Sequence, residues 1–473
     1  MSSKKTLLTN FSSLAAVQVI NYIFPFITIP YITRVLGPEH YGAVAFATAI
    51  TGYFTLFTDW GMNLYAPREI SLVRDDQKKL SVFTSNLLYL KFASIIVCTS
   101  VYIATVFILP QMKEERLLFL ITAGYILFNS FNPTWFFQGI EKMGRIATAN
   151  LIFGISGISF IFILVRDRDD YIKLPLAYII AGLISRSYVL WAIFAKEKVT
   201  LTSPDIQMIK KIMKEARHLF ISNLSINVYT GMNTIILGFF TNNLFVGYYS
   251  LAERIVKALI GIQSQISAVF YPHIVGKLRL SVEEAKKAIK KGAAAVLFCA
   301  IPLSLSLFFF AEDAISIIAG KDFTSSVTLL KMFSPLFVIV GLSNIAGIQV
   351  LLSFGKRKEF MRVVIIAGLL NVALNIILVP YLQHVGAGIS FLVAEIFVML
   401  CMLYEVNRLN IKIAEYRTVK NLVFLVFIMA STFVLLSFTG GGVTIILPIA
   451  LFVYLTTAII FKVINLKERT INA

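Results

Sequence analysis

Residues 244–272 read LFVGYYSLAERIVKALIGIQSQISAVFYP, and this stretch decides what kind of protein the chain is. At about 1.5 Å per residue, a helix of this length crosses the roughly 30 Å hydrocarbon layer of a bilayer with room to tilt. The segment Ala252-Glu-Arg-Ile-Val-Lys257 lies inside it. Arg254 therefore falls roughly 15 Å from the start of the run, near mid-bilayer, where an ionised side chain costs at least ~2.5 kcal/mol. Glu253 and Lys257 are spaced i,i+4 and can neutralise each other along one helix face. Arg254 then has to be met from elsewhere. A carbonyl or carboxylate on a neighbouring helix would make it a structural residue, whereas an anionic cargo would make it a cationic site in a membrane transporter.

Working outward, the whole chain fits that reading. It has 473 residues, 58% hydrophobic and 14% charged, with mean hydropathy +0.81. A water-soluble domain of this composition would expose large apolar patches. The apolar runs are continuous and about 20 residues long rather than alternating segments of ten, which selects an all-α polytopic membrane protein over a β-barrel. The net charge of +18 is dispersed over short loops without a groove-entering motif, so no nucleic-acid partner is implied. Cys98, Cys299 and Cys401 fall inside apolar runs, and His40, His218, His273 and His384 lie at separate span ends. Neither set has metal-ligand spacing, so no metal and no cofactor is expected. Met1-Ser-Ser-Lys-Lys5 precedes an apolar run that is too long for a signal peptide and lacks a small-residue cleavage site, so it reads as a retained first span.

Apolar runs at 11–33, 41–58, 82–109, 117–137, 146–165 and 174–195 predict six spans. Runs at 219–240, 244–272, 293–311, 327–353, 363–380 and 385–405 predict six more. Two further runs, at 421–439 and 443–463, bring the total to fourteen. The expected organisation is a six-helix bundle over 1–215, a second over 216–420, and two additional helices over 421–473. Most of the 43 Lys and Arg residues fall in alternate loops, from Arg68, Arg74, Lys78 and Lys79 to the tail Lys462, Lys467 and Arg469. By the positive-inside rule those loops and both termini are cytoplasmic. Ile206, Ile209, Met213, Ala216 and Phe220, beside Lys210, Lys211 and Lys214, read as an interfacial helix. Ser281-Val-Glu-Glu284 fits a capping box opening a short helix that runs to Gly292. A weak internal repeat lays Tyr41–Ile50 on Val246–Ile255, with Gly42 on Gly247, Ala47 on Ala252 and Ile50 on Ile255. Six spans separate the copies, so the two bundles should be related by a pseudo-two-fold axis along the membrane normal, as in transporters that rock two bundles around a central site.

Lys91 and Arg186 also lie deep in their runs, and Glu395 is a mid-span acid. Basic charge exceeds acidic charge at depth, which suits an anionic cargo such as a pyrophosphate. Arg34 and Lys331 lie nearer the outer interface, within snorkelling range. Pro25 and Pro30 each remove a backbone donor from the first span, which should bend or open there. Asn223/Asn227 and Asn371/Asn375 are i,i+4 amide pairs, suited either to sugar hydroxyls or to bonds between helices. Gly440-Gly-Gly442 reads as a turn, since the lysine and helix cap of a phosphate loop are missing. No Ser-His-Asp, Cys-His or paired-carboxylate grouping occurs in a sizeable loop, so no catalytic residue and no enzyme activity is expected.

The segments Asn21–Gly37 (NYIFPFITIPYITRVLG), Tyr41-Gly42 and Asn132–Met143 (NPTWFFQGIEKM) resemble the Wzx-type polysaccharide flippases. These belong to the MOP superfamily with the lipid II flippase and the MATE exporters. The resemblance implies a bacterial inner-membrane protein that moves undecaprenyl-pyrophosphate-linked oligosaccharide repeat units, such as O-antigen or capsule units, from the cytoplasmic to the periplasmic leaflet. It implies two six-helix bundles around a cavity lined by spans one, two, seven and eight. Arg254 matches by position a cavity-facing basic residue on the eighth span of the lipid II flippase, whereas the basic residue that relative carries on its second span has no counterpart here. Together with the cations read from their depth, the candidate substrate-binding set is Arg254, Lys257, Arg186, Lys91, Arg34 and Lys331, with Glu253, Asp59 and Glu395 as ion-coupling candidates. Beyond the lipid-linked oligosaccharide and membrane lipids, candidate partners are a polysaccharide polymerase, chain-length proteins and a coupling H+ or Na+. Two alternatives remain open: a MATE-like ion-coupled exporter of small molecules, and a non-transporting scaffold of a polysaccharide assembly complex.

Overall fold

The computed structural model describes residues 3–438 and 442–460. Gly440 and Gly441 of the glycine turn and the basic tail Lys462, Lys467 and Arg469 lie outside the described residues. Among those described, every regular element is helical. Among the described residues, eight helices are long and apolar enough to cross a membrane, or nine if one pair bent by 41° counts as a single span. The chain divides into two compact units, Met1–Gly247 and Tyr248–Ala473.

The first unit holds α1 (Ser3–Asp59), α2 (Met62–Val73), α3 (Gln77–Ile108), α4 (Arg116–Ser130), α5 (Thr134–Gly139), α6 (Met143–Leu164), α7 (Lys173–Trp191) and α8 (Ile206–Phe240). It also holds the first turn of α9 (Asn243–Leu280). Two of the predicted runs, 11–33 and 41–58, form one long α1, interrupted at Gly37 by φ 70° and ψ 174°. A positive φ is tolerated by glycine, and Pro38 restarts the helix as its first residue, where a missing N–H leaves no bond unmade. The run 117–137 is broken as well. Pro133 cannot continue the α4 hydrogen-bond ladder, so the chain turns and α5 buries Trp135, Phe136 and Phe137 against Met62 and Ile70 of α2. The stretch expected to form a separate interfacial helix is the opening of α8. Its Ile212 and Ala216 pack into that same core while Ile206 is exposed. Asp205 caps α8 by accepting the N–H groups of Gln207 and Met208.

The connection from 197 to 205 is laid along one stripe of α3. Gln77 donates to the carbonyls of Glu197 and Lys198, Ser81 and Ser85 accept from Thr200 and Thr202, and Asn86 accepts from Asp205 at 2.7 Å. Positions 77, 81 and 85 recur every four residues and so face one side. At the start of α9 a Cβ on Gly42 would lie 1.8 Å from the Asn243 carbonyl oxygen, and one on Gly247 would lie 1.9 Å from that of Pro38. The contact is reciprocal, each glycine meeting the carbonyl four residues before the other, as in helix pairs that cross at small residues. Gly42→Leu should therefore cost at least the roughly 1–3 kcal/mol of ordinary overpacking, because backbone rather than a movable side chain stands in the way. Loss of the monodisperse peak in detergent gel filtration is the expected result, and an unchanged peak would contradict the crossing.

The second unit continues α9 and adds α10 (Val282–Phe309), α11 (Ala311–Ile318), α12 (Ser326–Phe333), α13 (Leu336–Asn344), α14 (Arg357–Arg408), α15 (Tyr416–Ser437) and α16 (Val443–Ile460). Ser281 accepts the Glu284 N–H at 3.1 Å as its capping motif requires, but the helix runs through Gly292 to Phe309 rather than stopping at the glycine. Gly292 lets Phe270 and Gln349 approach closely instead. The run 327–353 becomes α12, α13 and a π-helical segment Ile345–Leu352. Runs 363–380 and 385–405 merge in α14, which leaves helical geometry at Gln383, with φ 50° and ψ −129°. Leu425, Met429 and Phe433 of α15 and Ile446, Ala450, Tyr454 and Ala458 of α16 pack on Leu297 and Ile301 of α10. The buried Tyr454 hydroxyl donates to the Phe298 carbonyl at 2.8 Å, so its polar end is satisfied.

Candidate functional site

The first turns of α9 within the second unit are two-sided. Ala252 and Val256 are buried while Arg254 and Lys257 are on the exposed side. The predicted i,i+4 pair forms, with Lys257 Nζ 3.0 Å from Glu253 Oε1. The same carboxylate oxygen accepts the Tyr249 hydroxyl at 3.2 Å. Glu253 is thereby held from both sides, and it anchors Lys257 beside Arg254 on one helical face.

The other predicted cations fall into two groups. Lys91 of α3 is 2% exposed and pairs with Asp59 at the end of α1, Nζ to Oδ1 2.9 Å. Arg186 of α7 is likewise buried and donates Nε to the Phe128 carbonyl at 3.3 Å, while its Nη1 has no partner among the described residues. Phe128 lies in the last turn of α4, whose final carbonyls have no partner within the helix, and the guanidinium caps one of them. Next to Asp59, Thr58 shares a buried hydrogen bond with Ser130 at that same α4 terminus. Arg34, by contrast, is exposed, three residues before the Gly37 break. Pro25 and Pro30 lie within α1, whose non-helical backbone falls at Gly37 rather than at either proline.

Lys331 of α12 is exposed and lines a cavity of about 460 Å³ with Glu312 and Asp313 of α11 and Lys321. Of the four charged residues that line it, the sequence singles out Lys331 alone; Glu312, Asp313 and Lys321 lie in a short connection between spans that hydropathy does not mark. Glu395 is buried on α14. Both amide pairs close on their own helices: Asn227 donates to the Asn223 carbonyl at 2.8 Å, and Asn375 to the Asn371 carbonyl at 2.8 Å. No group of three His, Cys, Asp or Glu side chains suited to a metal occurs among the described residues.

A family model described as "Polysaccharide biosynthesis protein" matches residues 7–276, more than half of the chain. The chain belongs to the polysaccharide biosynthesis protein family. The family resemblance read from Asn21–Gly37, Tyr41-Gly42 and Asn132–Met143 is borne out by this match and by a relative of nearly equal extent. The "Putative O-antigen transporter" of Escherichia coli (strain K12) is 30% identical over 415 residues, 86% of this chain and 98% of its own length. The "Probable low-salt glycan biosynthesis flippase Agl15" of Haloferax volcanii is 21% identical over 77% of this chain and 76% of its own. In fold, the family member is similar to the solved lipid II flippase MurJ in an inward closed conformation, with TM-score 0.76 at 14% identity, over 96% of this chain and 98% of that one. These relatives are transporters and flippases rather than enzymes, and with its apolar helices the chain is a multi-pass membrane protein.

Proposed function

We propose that this protein is a flippase that carries undecaprenyl-pyrophosphate-linked oligosaccharide repeat units, of O-antigen or capsule type, from the cytoplasmic to the periplasmic leaflet of a bacterial inner membrane by alternating access. The observation that carries the reading is the pairing of Arg254 and Lys257 on the exposed side of α9 in a chain whose full-length relative is named as an O-antigen transporter. A diphosphate offers several acceptor oxygens to a guanidinium and an ammonium side by side.

In this reading Arg254 and Lys257 bind the diphosphate, and the exposed Arg34 and Lys331 meet cargo nearer the outer interface. Lys91 and Arg186 act from inside the first unit by holding α1, α3, α4 and α7 together. Glu253, Asp59 and Glu395 are the candidate sites for a coupling H+ or Na+, and Pro25 and Pro30 the candidate hinges of the first span. The breaks in α1 and α14 support fourteen spans with both termini cytoplasmic, arranged as bundles over 1–215 and 216–420 plus the helices of 421–473. The reciprocal Gly42–Gly247 contact supports taking the two stretches as copies of one motif. Membrane lipids, a polymerase and chain-length proteins are the proposed partners.

Energetics favour the direction. Two negative charges moving outward across an inside-negative potential gain ~2.3 kcal/mol each per 100 mV. A cation exporter would need excess acid along its path, and the exposed set here is basic. Reconstitution discriminates these readings: vesicles containing only this protein should transfer a fluorescently labelled lipid-linked oligosaccharide between leaflets. Vesicles that leave the label where it was placed would refute the function and favour a scaffold.

A further inference from the structure

The cavity beside Lys331 belongs wholly to the second unit and lies between the end of α10, α11, the turn at Gly320 and α12. Its volume, about 460 Å³, is within the ~300–1,000 Å³ of small-molecule sites. Two carboxylates, Glu312 and Asp313, and two ammonium groups, Lys321 and Lys331, line it. None of these four closes an ion pair among the described residues. The rest of the lining includes apolar surface from Phe309 and Val327. Gly320, at φ 82°, shapes the turn in a conformation that a Cβ would strain.

This lining selects a chemistry. An anion would meet two carboxylates, a cation two ammonium groups, and an apolar molecule would strip water from all four charges without replacing it. A neutral polyol avoids each penalty. Its hydroxyls donate to the carboxylates and accept from the ammonium groups, while the C–H face of a sugar ring rests on Phe309 and Val327.

The cavity wall is fastened to the helix that carries the proposed diphosphate site. Ser326 Oγ at the start of α12 donates to the Tyr248 carbonyl at 2.9 Å, and the Tyr248 ring meets Phe323 edge-on at 6.3 Å. Tyr248 precedes Arg254 by six residues on α9, about 9 Å along the axis. We propose that this cavity is a glycan subsite that takes one or two neutral sugar rings of the cargo on the side to which it is delivered. The assignment rests on the flippase reading and on the topology proposed with it.

Saturation-transfer NMR on the purified full-length protein in nanodiscs tests the subsite, with lactose, maltose and N,N′-diacetylchitobiose at millimolar concentration as probes. At least one disaccharide should receive saturation, and the signal should fall at least fivefold in the double variant E312Q/D313N and in K331M. Inorganic phosphate and spermidine should not displace the sugar. These side chains line an open cavity, so melting temperatures should be unchanged; if the double variant melts early, K331M alone decides. No saturation of any of the three sugars, or undiminished saturation in K331M, overturns the subsite. The same preparations assayed for leaflet transfer separate the two ideas. Transfer without sugar binding removes only the subsite, whereas no transfer at all removes the flippase reading beneath it.

Discussion

Arg254→Ala should abolish surface polysaccharide while the amount of protein in the membrane stays normal. Arg254 is on the exposed side of α9, opposite the buried Ala252 and Val256, so its removal leaves the packed face of the helix intact. A charge-assisted hydrogen bond contributes about 1.5–3 kcal/mol, roughly a ten- to hundredfold loss of binding if it is made to the diphosphate. Lys257 cannot replace it fully, because Glu253 already holds its ammonium at 3.0 Å. Arg254→Lys should retain part of the activity, since charge is kept but the bidentate fork is lost. Immunoblotting polysaccharide and protein together, in a strain carrying the variant as its sole copy, reads both quantities. Wild-type polysaccharide from Arg254→Ala would sink the proposed role.

The second large effect is on stability. Lys91→Met leaves Asp59 buried, 8% exposed, without the ammonium that now lies 2.9 Å from it. Breaking a buried pair by removing one partner costs about 3–5 kcal/mol, whereas replacing both by apolar side chains is often nearly neutral. Lys91→Met should therefore lower the melting temperature markedly, and adding Asp59→Leu should restore most of the loss. A single variant as stable as wild type, or a double variant worse than the single, contradicts a pair that fastens α3 to the end of α1. Activity separates the ion-coupling alternative for Asp59: a fastening pair predicts that the stable double variant still transports, and a coupling site predicts that it does not.

Much of the fold was legible because hydropathy reports depth. The predicted runs on either side of Gly37 and on either side of Gln383 are separated at the two points where the backbone of α1 and of α14 leaves helical geometry. The i,i+4 arithmetic at Glu253 and Lys257 likewise gave a contact that forms. Hydropathy does not report which way a side chain faces around its helix, and this is where the reading ran out. Lys91 and Arg254 look alike as mid-run cations, yet one is buried against Asp59, 32 residues away, and the other is on an exposed face. The cavity of Glu312, Asp313, Lys321 and Lys331 depends on a turn and a short helix whose arrangement no periodicity encodes. The continuation of helix through Gly292 was missed for a related reason. A glycine stops an isolated helix more readily than one whose glycine is packed by neighbours such as Phe270 and Gln349.

The flippase reading is exposed most plainly in sealed vesicles containing only this protein and a lipid-linked oligosaccharide, with an imposed inside-negative potential and an impermeant reagent reporting the outer leaflet. We expect labelled glycan to appear outside at a rate that rises with the potential and drops at least tenfold for Arg254→Ala. Glycan confined to the inner leaflet for the wild-type protein, or appearing outside equally fast without Arg254, would contradict a cationic diphosphate site on α9.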